Sequence, residues 1–444
     1  MPPADQSRHA SGDTGNGNGN NYRMIVVILL SVVYTFNYMD RQLLAILSEP
    51  VRKEMHLSYT QIGMLTGLTF ALFYTTCGIP LAWLADRTNR VRLIATALSV
   101  WSLFSAACGF ATNFTTLALA RIGVGVGEAG GSPPAYSLIS DYFPPERRGR
   151  ALAIYALGIP LGAGLGSALG AWIAAEYGWR MAFVAVGLPG LLLAVMVVVV
   201  IREPRRGLMD APLEGQESDQ PSLPLVKAAA AFLANPTLAT TAIAAGLSNF
   251  WGQGMVNNAA AYLMSNLHMS LTEVAIYYSA ASATSSGLGT LASGWLIDRF
   301  AQKSAVAYAV VPAVALALSA PFYLGFLWAP TWPLALASLT VGLGLGQFFL
   351  TPAITLVQNA VRPNQRGTSG AMLILIINLI GLGCGPLFVG LVADHFRAQY
   401  GVVALRFGLL ALMPMVPITL GAYLLSARYV SRDAALALQL VRST

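Results

Sequence analysis

Charge is what this 444-residue sequence has least of: Asp, Glu, Lys and Arg together make up 10% of it, against roughly 25% in ordinary soluble domains. That shortage excludes a water-soluble globular chain, whose surface needs those groups. Lysine is almost missing, with Lys53, Lys227 and Lys303 alone, and no GxxxxGK[ST] occurs, so ATP hydrolysis on a phosphate loop is excluded. Histidine is scarce too. His9, His56, His268 and His395 fall in the tail or in predicted loops, and none neighbours a cysteine. The three cysteines, Cys77, Cys108 and Cys384, lie in predicted helices at unrelated spacings, so neither a disulfide framework nor a metal site is expected. With no nucleophile beside a base, no metal and no cofactor motif, the chain does not read as an enzyme.

What is present in excess is apolar length. Hydrophobic residues make up 56% of the chain and the mean hydropathy is +0.62. Runs of about 20 apolar residues, enough to cross ~30 Å of hydrocarbon as a helix, recur throughout. They predict an all-α membrane protein with twelve helices near 24–48, 61–85, 92–111, 114–140, 150–175, 180–202, 236–266, 272–297, 305–328, 332–360, 368–393 and 403–427. An even count puts both termini on one side. The segments on that side carry 19 of the 26 Lys and Arg, such as Arg87, Arg90, Arg92, Arg147, Arg148 and Arg150. The opposite loops carry Arg52, Lys53, Arg180, Arg397 and Arg406. By the positive-inside bias both ends are cytoplasmic, in a plasma membrane or a bacterial inner membrane. The net charge of +7 follows from that bias, and no nucleic-acid partner is needed.

The polar stretch from Arg202 to Lys227 splits the helices six and six. The expected organisation is a disordered tail (1–22), a six-helix bundle (23–203), a linker (204–235), a second bundle (236–428) and a second tail (429–444). The tail at the start is not a signal peptide, because the apolar run after Arg23 is too long and lacks a small-residue cleavage pattern. The halves repeat. "AWLADRTNRVR" after helix two matches "GWLIDRFAQK" after helix eight, with Asp86 and Asp298 separated by 212 positions. Arg148-Gly149 leads Arg366-Gly367 by 218. Such duplication is typical of secondary transporters.

On these motifs the chain resembles the major facilitator superfamily, whose loop pattern is carried by Asp86, Arg87, Arg90 and Arg92 and more weakly by Asp298, Arg299 and Lys303. Ala82 and Asn89 stand where the family usually has glycines. The resemblance implies two pseudo-symmetric six-helix bundles that rock between outward-open and inward-open states. It also implies that Asp86 caps a neighbouring helix end in one gating state, with Arg87, Arg90, Arg148, Asp298 and Arg299 in the gating loops. Four further pieces, "FNYMDRQLLA", "RIGVGVGEAGGSPPAYSLISDYFPPERRGRA", "IPLGAGLG" and "GWRMAF" with "GLPGLLLA", are similar to the spinster branch. Animal members of that branch are associated with export of lysophospholipids and sphingosine phosphate.

A charge at mid-membrane costs at least ~2.5–3.5 kcal/mol on insertion scales and marks a functional interior. Four such residues fall within predicted helices: Asp40, Arg41, Arg121 and Glu128. Arg121 and Glu128 are seven apart, about 700° of turn, and share a face with ~10.5 Å of rise between them. Counting from the outer ends puts Asp40 and Arg121 at about 10–12 Å and Glu128 at ~21 Å. The expected pair is therefore Asp40 with Arg121, leaving Glu128 as a loose carboxylate able to exchange a proton. Asp40 and Glu128 are the expected proton-coupling acids, with Arg121 as partner or ligand arm. Arg41, 100° round from Asp40, suits bidentate binding of an anionic headgroup.

The second half has no buried charge, but Asn249, Trp251, Gln253, Asn257, Gln347 and Phe348 are expected to form the opposite, neutral cavity wall. A charged half facing a greasy half suits an amphipathic anion. The expected function is a proton-coupled carrier of a lysophospholipid or sphingosine phosphate, acting as a monomer with membrane lipids, protons and the substrate as partners. Two alternatives are a proton-coupled symporter of small organic anions such as sugar acids, and a non-transporting membrane sensor on the same fold. "GVGEAG" (Gly125 to Gly130) formally matches GxGxxG but follows no strand, and its glycines are expected to serve close helix packing or bending.

Overall fold

The computed structural model describes residues 16–209, 225–361 and 366–443, and every regular element among them is helical. The first half contains α1 (Asn16–Ile46), α2 (Ser48–Glu54), α3 (Tyr59–Ala85), α4 (Arg90–Cys108), α5 (Phe114–Glu128), α6 (Ser132–Tyr142), α7 (Pro145–Ala156), α8 (Gly158–Tyr177) and α9 (Trp179–Val200). The second contains α10 (Leu225–Ala234), α11 (Pro236–Asn266), α12 (271–301), α13 (Ala307–Trp328), α14 (Trp332–Gly346), α15 (Leu350–Ala360), α16 (Arg366–Ile377), α17 (Cys384–Tyr400), α18 (Ala404–Leu410) and α19 (Met415–Ser443). Several crossings are built from two of these joined at a break, so that each half crosses six times. The side holding both chain ends is called the terminus face below, and the other the far face.

The breaks follow from sequence. A proline clashes with the carbonyl four residues before it, and Pro133 and Pro134 strike at Ala129 and Gly130. The fourth crossing therefore stops at Glu128 and restarts at Ser132. Glycines set the closest contacts. Gly158, Gly162, Gly166 and Gly170 recur every four residues along α8, where any Cβ would run into Ser31, Thr35, Met39 and Leu43 of α1. That backbone-to-backbone seam fixes the rotation of α1, and with it the directions of Asp40 and Arg41.

The repeat extends beyond the basic loops. Ser58 and Ser270, again 212 apart, each cap a helix with a reciprocal capping box to Gln61 and Glu273. Among the described residues, His56 and His268 are the two non-glycine residues with positive φ, at 50° and 56°. Each cap is followed within two turns by a π-helical segment, Met64–Leu68 and Val274–Tyr278. Ser270→Ala should cost about 1 kcal/mol, read as a lower midpoint in detergent thermal unfolding, with transport unchanged.

The expected domain limits need correction. Helix begins at Asn16, inside the tail expected to be disordered, while residues 1–15 lie outside the described residues. Extending an existing helix costs far less than starting one, and Tyr22 is anchored: its hydroxyl donates to the Val200 carbonyl at 3.0 Å and accepts from the Arg202 N–H at 2.9 Å. The linker's 210–224 also lie outside, but its end forms α10. The final tail continues α19, tied down where Thr237 Oγ1 donates to Asp433 Oδ2 at 2.6 Å.

The halves meet at the far face. There α17 lies on the start of α3, and Gly63 and Gly67 abut the backbone of Pro386, Leu382 and Gly383. On the terminus face α7 and α16 pack chiefly within their own halves.

Candidate functional site

Where α5 ends, Glu128 is almost fully buried, and the negative end of the helix disfavours a carboxylate there. A cation has to compensate it. That cation is Arg41, whose Nε donates to Glu128 Oε2 at 2.6 Å. The guanidinium is enclosed by three rings, with its carbon 4.6 Å from the Tyr74 centroid, 4.9 Å from Phe70 and 5.1 Å from Tyr38. Its side chain retains 18% exposure, whereas that of Glu128 has none.

This corrects two expectations. Glu128 is not the loose carboxylate, and Asp40 forms no ion pair with Arg121. Backbone depth was counted without the lean of the side chains. Cα–Cβ bonds tilt toward the helix N-terminus. Because α1 and α5 run in opposite directions, Arg41 leans to the terminus face and Glu128 to the far face, so they converge. Asp40 and Arg121 lean apart.

Asp40 instead accepts from Ser105 Oγ on α4, and its Oδ2 has no hydrogen-bond partner. Arg121 is buried with Nε and Nη1 likewise unpartnered, its guanidinium carbon 5.3 Å from the Phe70 centroid. Phe70 thus lies beside both cations. Glu128 Oε1 and Asn37 Oδ1 are also buried without partners, so five unsatisfied polar atoms from four residues converge around α1 and α5. Unsatisfied buried groups of this kind are uncommon, and each calls for an explanation.

Toward the terminus face the same half presents tyrosines that the sequence reading missed. Tyr34 stacks on Tyr155 at 4.5 Å, Tyr38 meets Tyr34 edge-on at 5.2 Å, and Tyr136, 45% exposed, meets Tyr155 at 5.4 Å. The available signal was that a buried guanidinium needs a ring or an acid beside it, with Tyr38 one turn away on the same helix and Phe70 and Tyr74 in the next crossing.

In the second half Asn249, Gln253 and Asn257, four apart on α11, form a ladder. Asn249 Nδ2 donates to the Ile377 carbonyl at 3.0 Å, Gln253 Nε2 to Asn249 Oδ1 at 3.4 Å, and Asn257 Nδ2 to Gln253 Oε1 at 3.0 Å. Trp251 is not on that wall. It is turned 200° from Asn249 and sealed against Tyr323 at 4.4 Å. Phe348 is likewise buried, its carbonyl near Ser293 Oγ, while Gln347 opens the 3-10 turn at the break and is half-buried.

The loop residues divide. Asp86 ends α3 exposed and, among the described residues, caps no neighbouring helix, and Arg87 lies 4.0 Å from the Trp83 ring. Arg148 Nε donates to the Ser140 and Phe143 carbonyls at 3.0 Å. Asp298 is exposed, with Arg299 5.8 Å from the Trp295 ring. Arg90, expected in the gating loops, is a buried hub. It pairs with Asp141, donates to Glu203 Oε1 at 2.7 Å and Ser137 Oγ at 2.7 Å, and all these partners belong to the first half.

A sequence profile described as Major Facilitator Superfamily matches residues 30–368 and 242–436. An "MFS-type efflux pump" of Mycolicibacterium smegmatis is 32% identical over 90% of this chain and 92% of its own length. A "Hexuronate transporter" of Bacillus subtilis is 26% identical over 87% and 92%. Among solved structures, a bacterial homologue of the human lysosomal transporter Spinster, in an inward-facing and unoccupied conformation, superposes with a TM-score of 0.85 at 30% identity, covering 93% of this chain and 98% of that one.

Proposed function

The chain belongs to the Major Facilitator Superfamily, as a multi-pass transporter of the spinster-like type and not an enzyme, and on that premise we propose that it moves an amphipathic, anionic, lipid-like substrate in exchange or in company with protons. The observation that carries this reading is the Arg41–Glu128 ion pair. Glu128 holds either Arg41 or a proton. When it takes a proton, the guanidinium is released to bind a phosphate or carboxylate headgroup in bidentate fashion. Proton and anion binding are thereby linked through one side chain. Arg121, with two unpartnered donors, is the second contact for the headgroup, and Asp40 is the second proton acceptor. The tyrosines and the amide ladder of α11 supply amphipathic walls suited to a glycerol backbone and an acyl chain.

In this reading the terminus face is cytoplasmic, in keeping with its share of Lys and Arg, the far-face contact supports an inward-open state, and the transporter acts as a monomer. Asp86 and Asp298, with their neighbouring arginines, engage the opposite half when the terminus face closes.

A second reading, a symporter of small organic anions, is favoured by the likeness to the hexuronate transporter. Flux of a labelled lysophospholipid into proteoliposomes, with and without a pH gradient and with excess glucuronate as competitor, separates the two. Gradient-dependent flux indifferent to glucuronate is the expected result. Glucuronate uptake with no lipid flux would put the small anion in its place, and absence of any flux would leave the sensor.

A further inference from the structure

Among the described residues, the two halves are joined at the far face by one directed polar contact. Asp394, in α17, reaches the first turn of α3 in the other half, where Oδ1 accepts from the Tyr59 N–H at 2.9 Å and Oδ2 from the Thr60 N–H at 2.7 Å. Those are two of the four N–H groups a helix start leaves without intrahelical partners. A carboxylate there gains charge-assisted hydrogen bonds and the attraction of the positive helix end.

Independent features surround it. Gly390, one turn earlier on α17, would strike the Tyr59 carbonyl and the Thr60 backbone with any Cβ, so the chains touch without side chains between them. The Tyr59 ring is flanked by guanidinium groups from both halves, Arg52 at 4.4 Å and Arg397 at 5.8 Å, and Arg52 is itself held by Glu49 at 2.9 Å. The repeat does not reproduce this. Leu271 and Thr272, at the start of α12, receive no carboxylate from the first half among the described residues.

We infer that Asp394 is a positioning residue for transport: it latches the second half onto the α3 start, and the far face opens only when its bonds to that helix start break. The packed glycines supply contact area but no direction, and the carboxylate sets where the seam closes. This inference rests on the alternating-access reading of the fold.

The test uses spin-label distances on the full chain in nanodiscs, with Cys77, Cys108 and Cys384 replaced by alanine. Phe110→Cys with Trp328→Cys reports the far face, and Thr88→Cys with Lys303→Cys the terminus face. In Asp394→Asn one bond and the charge are lost, and the ratio of far-face-closed to far-face-open molecules should fall about tenfold, with the terminus-face distance shortening in step. Asp394→Glu should restore most of the closed population. Tyr59→Pro deletes one N–H donor at a position where proline is tolerated, after an extended Ser58 (φ −78°, ψ 163°). It should mimic Asp394→Asn, whereas Tyr59→Ala, which loses only the ring, should shift the ratio less. A general loss of structure would not move the two faces in opposite directions. If a pH change moves the two pairs reciprocally in the parent, yet Asp394→Asn and Tyr59→Pro keep the parent's ratio, the latch is wrong and alternating access stands. If no variant or condition gives reciprocal movement, both are overturned.

Discussion

Glu128→Gln should cut flux driven by a pH gradient about a hundredfold, which corresponds to ~2.7 kcal/mol on the barrier, while exchange of substrate at equal pH falls less than about threefold. Glutamine keeps an oxygen that can accept from Arg41 Nε, so the 2.6 Å contact has a neutral successor. What it cannot do is alternate between a charge that holds Arg41 and a proton that releases it. The comparison is counterflow against gradient-driven uptake in the same proteoliposomes. Gradient-driven uptake at the parent level would remove Glu128 from the coupling, and loss of both activities together would make it a structural partner of Arg41 instead.

Arg90→Ala should destabilise the protein by about 3–5 kcal/mol, because it leaves Asp141 and Glu203 as charges without their cation in a buried setting. Arg90 has no exposed surface. Its partners come from the end of α6 and from the segment after α9, and Glu203 Oε2 also accepts from the Val91 N–H at 3.1 Å while Asp141 Oδ1 accepts from the Gly207 N–H at 2.9 Å. One side chain therefore ties three crossings on the terminus face of the first half. Thermal unfolding in detergent should show a midpoint about 3–5 °C lower, against less than about 0.5 kcal/mol for the exposed Arg92→Ala. A midpoint equal to the parent's would mean that the hub is dispensable and return Arg90 to the gating loop.

Much of this architecture could be read along the chain. The apolar runs, the start of α11 at Pro236 and the 212-residue repeat are local or periodic properties, whereas the break at Pro133 and Pro134 was missed by reading one helix over 114–140. Composition and spacing carry them without reference to the fold. The four intramembrane charges were legible as well, since burying any of them in lipid is costly enough to mark them as functional. Arg90 was not. Beside Arg87 and Arg92 it looks like one more basic loop residue, and the carboxylates that sequester it lie 51 and 113 residues further on.

The sequence by itself thus determined the class of the protein: helical, membrane-spanning, duplicated, and charged inside one half. Hydrophobic length and insertion cost act on segments one at a time. Only the tertiary structure decided which charges meet. Arg41 and Glu128, 87 residues apart, come together because oppositely running helices tilt their side chains toward each other, a vector that counting residues does not contain. Asp394 and the start of α3, more than 330 residues apart, meet only because the two halves close on one face, where bare backbone at Gly390 lets a carboxylate reach the open N–H groups.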